Sequence, residues 1–335
     1  MSEKKYLAGI FTGTLIGMLI LTAIMWKIPC EMYFDKEYPA WKQQRDYIYE
    51  EGTREQILFL GDSAFKAAVV PEIIGENAYN LSLGGAGAIE MYYSLKNYLK
   101  RHPKPEKVFI SISPIHFIYL ERYRDRALYF HFLTPEEMIE SQRKIFELDA
   151  PPLPDKILMS LEDAQFAARF PTKYFQTIKT SELLRKPLND EIYEKTRLER
   201  GHMLFGNDPN WYKHYVPHEQ LQVDFKLLRS LDYYMRRLLN LCVENEIPFQ
   251  VVQTPINKLS YGTASKYDYF APYQDYLREL ARDFGGKVET ELVFYDVTLF
   301  GDHLHLNEKG AALYSENLKR KYIIDFTCQV NTFEK

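Results

Sequence analysis

Two short stretches hold the residue types of nucleophilic chemistry. In "LFLGDSAF" (Leu58–Phe65) an apolar run rises to Gly61, Asp62 and Ser63. In "LFGDHLHLNEKG" (Leu299–Gly310) stand Asp302, His303 and His305. A serine hydroxyl is a weak nucleophile until a base takes its proton, and the base works best when a third group orients it. Asp302 and His305 are three positions apart, just before a helix that Asn307 is placed to cap. On a short loop, that spacing lets the carboxylate hold one imidazole nitrogen while the other faces the serine. Two other readings stand beside this one. Asp62 or Ser63 can simply cap the helix that follows. Asp302, His303 and His305 can act as metal ligands, although no further Cys/His cluster joins them, and the expected metal content is none.

Acyl chemistry also needs donors for a developing oxyanion. Ser63 opens a helix, where free N–H groups and the positive dipole end favour an anion. Gly84 and Gly85 follow a second apolar strand, "NAYNLSLGG" (Asn77–Gly85). Gly85 is the better donor candidate, with the Ser63 N–H as the other; a simple tight turn is the alternative. A third strand, "KVFISIS" (Lys107–Ser113), ends at Ser113-Pro114, with His116 just beyond. Ser113 and His116 are substrate-binding candidates, as are Trp211 and Tyr212 in the aromatic stretch "NWYKHYVPH" (Asn210–His218), and His131 is a further site-edge candidate; packing of the insertion is the alternative for the aromatics, and a structural role the alternative for each lone histidine.

Three of these groups share one feature: Gly61-Asp62-Ser63, Gly84-Gly85 and Ser113-Pro114 each lie where a short buried strand stops. "QILFLG" (Gln56–Gly61), the two strands above and "PFQVVQTP" (Pro248–Pro255) alternate with helical patterns at Ile89–His102, Asp224–Glu246, Tyr273–Gly286 and Asn307–Tyr322. "KVETELVFYDV" (Lys287–Val297) offers a last extended stretch. Such alternation predicts an α/β fold, with a mostly parallel sheet covered on both faces. Ligands then bind at the carboxyl ends of the strands. Residues 115–223, with Pro clusters and scattered aromatics, read as a helical insertion.

At the N-terminus, residues 6–26 ("YLAGIFTGTLIGMLILTAIMW") contain no charged residue. At about 1.5 Å per residue this spans roughly 30 Å, the thickness of bilayer hydrocarbon. Tyr6 and Trp26 at its ends suit the interface. No small-x-small cleavage site follows, which favours an uncleaved anchor over a signal peptide; a buried soluble helix is the third reading. Residues 1–5 are then a cytoplasmic N-terminus, 27–54 a juxtamembrane linker with helical character, and 55–328 the main domain. Long domains cross largely regardless of flanking charge, so the domain is expected outside the cytoplasm.

The formal net charge of −4 and the lack of a basic run exclude a nucleic-acid partner on electrostatic grounds. Cys30, Cys242 and Cys328 lack metal spacing and are odd in number, so no disulfide framework follows. The set calls for no cofactor. The 26 Tyr and 21 Phe suit an aromatic core, or a sugar-binding groove.

"GDSA" (Gly61–Ala64) and "DHLHLN" (Asp302–Asn307) resemble the first and last blocks of the SGNH, or GDSL-type, hydrolase superfamily. The resemblance implies a flavodoxin-like three-layer α/β/α fold, with Ser63 as nucleophile, His305 as base, Asp302 as orienter, and Gly85 and Ser63 N–H groups at the oxyanion. The superfamily's third block normally supplies an Asn side chain; here "ISISPIHF" (Ile110–Phe117) stands in its place. A strand ending in "SP" plus an aromatic, a single N-terminal anchor and "QTPINKLSYGT" (Gln253–Thr263) are similar to the DltD branch, which D-alanylates teichoic acids, and to the alginate-acetylation proteins AlgJ and AlgX. That branch implies an O-acyltransferase working with a membrane-bound O-acyltransferase (MBOAT) partner on an extracellular polysaccharide or teichoic-acid-like acceptor, with acetyl as the default acyl group. A plain esterase or deacetylase, and a non-catalytic adaptor, are the alternatives.

Overall fold

The computed structural model describes residues 3–32, 34–50, 56–120, 123–168, 179, 185–206, 208–285 and 287–324. Four strands form one parallel sheet: β1 (Ile57–Gly61), β2 (Ala78–Asn80), β3 (Lys107–Ser111) and β4 (Phe249–Val251), in the order β2-β1-β3-β4. Ile57 pairs with both Ala78 and Lys107, which aligns the strand ends. The apolar runs are continuous because both sheet faces are covered, and the two-residue period splits them between two cores. Leu58, Leu60, Val108 and Ile110 face one cluster; Phe59 and Phe109 face the other.

The first cluster is closed by α5 (Ala88–Tyr98) and the amphipathic α9 (Arg229–Glu244). The second is closed by α3 (Ser63–Ala68), α4 (Pro71–Ile74) and α12 (Glu308–Lys319). The chain passes from β1 to β2 on one side, then crosses to β3 on the other. The reversal leaves a crevice at the carboxyl end of β1, where ligands bind in sheets of this kind.

Helix α1 (Glu3–Met25) is long and apolar enough to cross a membrane. The segment after it is not a linker. Helix α2 (Tyr38–Tyr49) buries Trp41, Gln44, Tyr47 and Ile48 in the domain, and Gln44 Nε2 donates to the Asn80 carbonyl at the end of β2. Its buried positions recur at helical spacing, but they include glutamines and tyrosines, which disguise the buried face. Residues 51–55 and 325–335, and with them Cys328, lie outside the described residues.

The insertion contains α6 (Pro135–Leu148), α7 (Leu153–Ala167) and α8 (Lys186–Leu198). Helix α9 starts five residues later than its periodicity suggests. Beyond β4 come α10 (Lys258–Ala264) and α11 (Phe270–Phe284), the latter closed by Gly285 at φ 74°. The stretch 287–297 forms no regular strand; it meets the sheet region through the bridges Val251–Val288 and Ile256–Phe294.

Candidate functional site

Asp62, not Ser63, caps α3. Its Oδ1 accepts from the Ala64 and Phe65 N–H groups at 2.9 and 3.2 Å. Its Oδ2 accepts from the Ser113 N–H at 2.7 Å, tying the end of β1 to the end of β3. Ser63 is therefore the first helical residue, and its hydroxyl is not needed for capping. Gly61 is required by crowding: a Cβ there would stand 2.5 Å from Phe65 Cβ and 2.8 Å from the Ser111 carbonyl.

The hydroxyl meets the second stretch. Ser63 Oγ lies 2.8 Å from His305 Nε2, and His305 Nδ1 lies 2.7 Å from Asp302 Oδ2. Asp302 Oδ1 also accepts from the Leu304 and His305 N–H groups at 2.8 and 2.7 Å. With its own N–H and its ring both held by one carboxylate, His305 has little freedom to turn. Burial pushes the Asp302 carboxyl upward, but the hydrogen bonds and charge of His305 and the backbone donors outweigh it and hold it down to about 2. The group is thus an anion at ordinary pH, fit to keep Nδ1 protonated and leave Nε2 as acceptor for the serine proton.

The turn expected to supply the oxyanion donors lies next to it. The Leu83 N–H donates to the Gly61 carbonyl at 2.9 Å, which holds the Gly84-Gly85 turn beside the Ser63 turn. Gly85 has φ 73°, a left-handed conformation that a side chain disfavours. Among the described residues, neither the Ser63 nor the Gly85 N–H has an acceptor. The third strand end adds none through its backbone at Ser113, because that N–H serves Asp62.

Other sequence candidates fall elsewhere. His116 Nε2 lies 3.8 Å from Asp62 Oδ2, so it belongs to the site's edge. His131 donates from Nε2 to the Ala167 carbonyl and packs against Trp26 at the end of α1. Trp211 is buried and donates to the Phe300 carbonyl at 3.1 Å; it packs the second core cluster and is not a sugar platform. Tyr212 packs beside it. His303 stacks its ring on His218. A narrow cavity of about 50 Å³ lies by Ser113, Ile115, Tyr273, His303 and Leu304. A wider, more polar one of about 530 Å³ is lined by Ile115, His116, Tyr119, Gln220 and Tyr267.

Four supporting residues were not legible as such. Asn257 caps α10 through Oδ1 while its Nδ2 donates to the His303 carbonyl at 2.8 Å; Ser260 Oγ donates to the same carbonyl at 2.6 Å. Together they anchor the loop that carries Asp302 and His305. Phe205, from the insertion, stacks on His305 with ring centroids 4.9 Å apart. Lys66, one turn beyond Ser63, is fully buried and donates to the Ser82 and Gly201 carbonyls at 3.0 and 2.6 Å. Burial lowers its ammonium to about 7, against a smaller upward pull from Glu199. A neutral amine has two N–H donors, one for each of these carbonyls.

No protein-family model matches the chain, and no curated protein matches it.

Proposed function

We propose that the chain is a membrane-anchored SGNH-like O-acyltransferase of the bacterial cell envelope, with its catalytic domain outside the cytoplasm. The hydrogen-bonded line Ser63–His305–Asp302, assembled across the whole length of the domain, carries this reading. Ser63 Oγ attacks the acyl carbonyl while His305 Nε2 takes its proton. The Ser63 and Gly85 N–H groups receive the oxyanion. Collapse breaks the bond to the leaving group, which takes the proton from His305 and leaves an ester on Ser63. An acceptor hydroxyl then repeats the sequence in reverse, giving up its proton to His305 and releasing Ser63.

Transfer wins over hydrolysis only where the acceptor is held better than water. Acetyl is the default acyl group, and the apolar α1 supports a donor brought through the membrane by an MBOAT partner. The flavodoxin-like topology and the DltD- or AlgJ-like branch belong to the same proposal. The acceptor is an extracellular polysaccharide or a teichoic-acid-like polymer.

The test is polymer-bound ester in cells carrying Ser63→Ala or His305→Ala, with protein level and membrane insertion held equal. Loss of ester is expected. Unchanged ester would leave the protein as an adaptor. Rapid hydrolysis of a small chromogenic ester by the purified chain, without transfer to added polymer, would make it an esterase.

A further inference from the structure

Among the described residues, helix α7 presents a largely exposed apolar face. Leu153, Ile157, Leu158 and Leu161 are 70, 55, 58 and 64% exposed. At 3.6 residues per turn, these four and the exposed Ala164 cover an arc of about 140°. Asp155, Lys156, Glu162 and Asp163 all fall outside that arc. Large contiguous apolar patches on a folded domain mark a surface that meets something.

What it meets is indicated by the residues at its end. Trp26, which closes the apolar span of α1, donates from Nε1 to the carbonyl of Ala168, the C-cap of α7, at 2.9 Å. The next carbonyl back, that of Ala167, accepts from His131 Nε2 at 2.6 Å, and the His131 ring lies 5.0 Å from that of Trp26. Tryptophan at the end of a membrane span sits at headgroup level. The end of α7 is therefore pinned at the depth where a helix with one apolar face settles into a bilayer.

We propose that α7 lies on the membrane as an interfacial helix, with Leu153, Ile157, Leu158 and Leu161 inserted among lipid acyl chains. The occupant is lipid. The charged residues of α7 show no basic excess, so contact depends on apolar burial and not on anionic headgroups. This inference rests on α1 spanning the bilayer and is independent of the acyl chemistry. It also sets the height of the candidate site. Asp163 on α7 pairs with Arg124 at 2.9 Å; Arg126, two residues on, pairs with Glu37 at 2.8 Å. Glu37 Oε2 in turn stands 3.3 Å from where a Cβ on Gly84 would be. Two ion pairs, joined through the chain at residues 124–126, thus lead from α7 to Glu37 beside the proposed oxyanion turn.

The experiment uses the full chain, with Cys30→Ser and Cys328→Ser, in nanodiscs of phosphatidylcholine alone or mixed with phosphatidylglycerol. Single nitroxide labels are placed at Leu15→Cys, Ile157→Cys, Leu161→Cys and Glu162→Cys. Oxygen should gain access, and a water-soluble nickel complex lose it, at 15, 157 and 161 but not at 162, equally in both lipids. Water-like access at 157 and 161 with lipid-like access at 15 overturns the proposal while α1 still spans. This is also the outcome expected if a protein partner covers the face. Water-like access at 15 removes the anchor on which it rests. Should a label disturb α7, the unlabelled chain with a photoactivatable lipid decides: crosslinks within 153–161 are expected, and crosslinks confined to α1 overturn it.

Discussion

The ring of Phe205 lies stacked on the imidazole of His305, centroids 4.9 Å apart and planes 29° from parallel. It also stands 3.6 Å from where a Cβ on Gly84 would be. One aromatic ring therefore stacks on the proposed base and fills the space beside the proposed oxyanion turn. It reaches them on a strap from the insertion: the Arg200 carbonyl accepts from the Asn80 N–H, and the Asp208 N–H donates to the Gly301 carbonyl.

Phe205→Ala should open the His305 ring to water. Water would then compete better for the acyl group on Ser63, so the ratio of transfer to hydrolysis should fall. Purified protein, an activated acyl donor and soluble polymer give both rates in one assay. An unchanged ratio means the ring only packs.

Asp302→Asn keeps the shape but removes the anion. The amide can no longer hold Nδ1–H, and ester formation should drop by about 10³–10⁴, the scale known for losing the orienting carboxylate of a serine triad. Raising the pH should not restore it, because the amide never ionises. The native Asp302, held down to about 2, adds stability that is complete above its unfolded value of about 4 and is lost as pH falls through about 2. Acid unfolding of wild type and variant, followed by circular dichroism, checks that window.

The residues of the candidate site were legible because they follow local rules. A short apolar run ending in Gly-Asp-Ser marks a strand end, and Asp302, His305 and Asn307 read as a loop before a capped helix. Their supports were not. Lys66 sits at a spacing that any helix surface could show, and its carbonyl partner on Gly201 is 135 positions away. Trp211 could be read either as packing or as a substrate contact from its type and neighbours; its burial and the Phe300 carbonyl that takes its N–H place it in the core. Helix α2 looked like a linker because its buried face includes Gln43 and Gln44, whose amides find Tyr79 and Asn80. Polar burial of this sort depends on distant partners, which periodicity does not report.

Lys66→Met should leave the Ser82 and Gly201 carbonyls without their donor. Each buried orphan costs about 1–3 kcal/mol, so a loss of about 2 kcal/mol or more is expected at alkaline pH. The pH dependence is the sharper readout. With its folded value near 7 and its model value at 10.5, the unfolded chain binds this proton more strongly across that interval. Wild-type stability therefore gains a rising contribution from pH 7 toward 10.5, and the methionine variant lacks it. Urea unfolding of both chains at several pH values in that range compares the slopes; equal slopes would show that Lys66 keeps its proton.

Two glycine substitutions separate catalysis from folding. Gly201 has φ 87°, and a Cβ there would stand 2.0 Å from the Asn80 carbonyl, so Gly201→Ala forces the strap away from β2 and should cost at least about 3 kcal/mol. Gly85 has φ 73°, and alanine there adds backbone strain of about 1–2 kcal/mol. Relieving that strain by a change in φ rotates the Gly85 N–H away from the proposed oxyanion position. Gly85→Ala should therefore fold with a small drop in melting temperature yet lose about 10²–10³ in ester formation, the scale for one oxyanion donor. Melting temperature and single-turnover acylation of Ser63, measured on both variants, give the comparison. A Gly85→Ala chain that acylates at the wild-type rate would remove Gly85 from the oxyanion site and leave the Ser63 N–H as its remaining proposed donor.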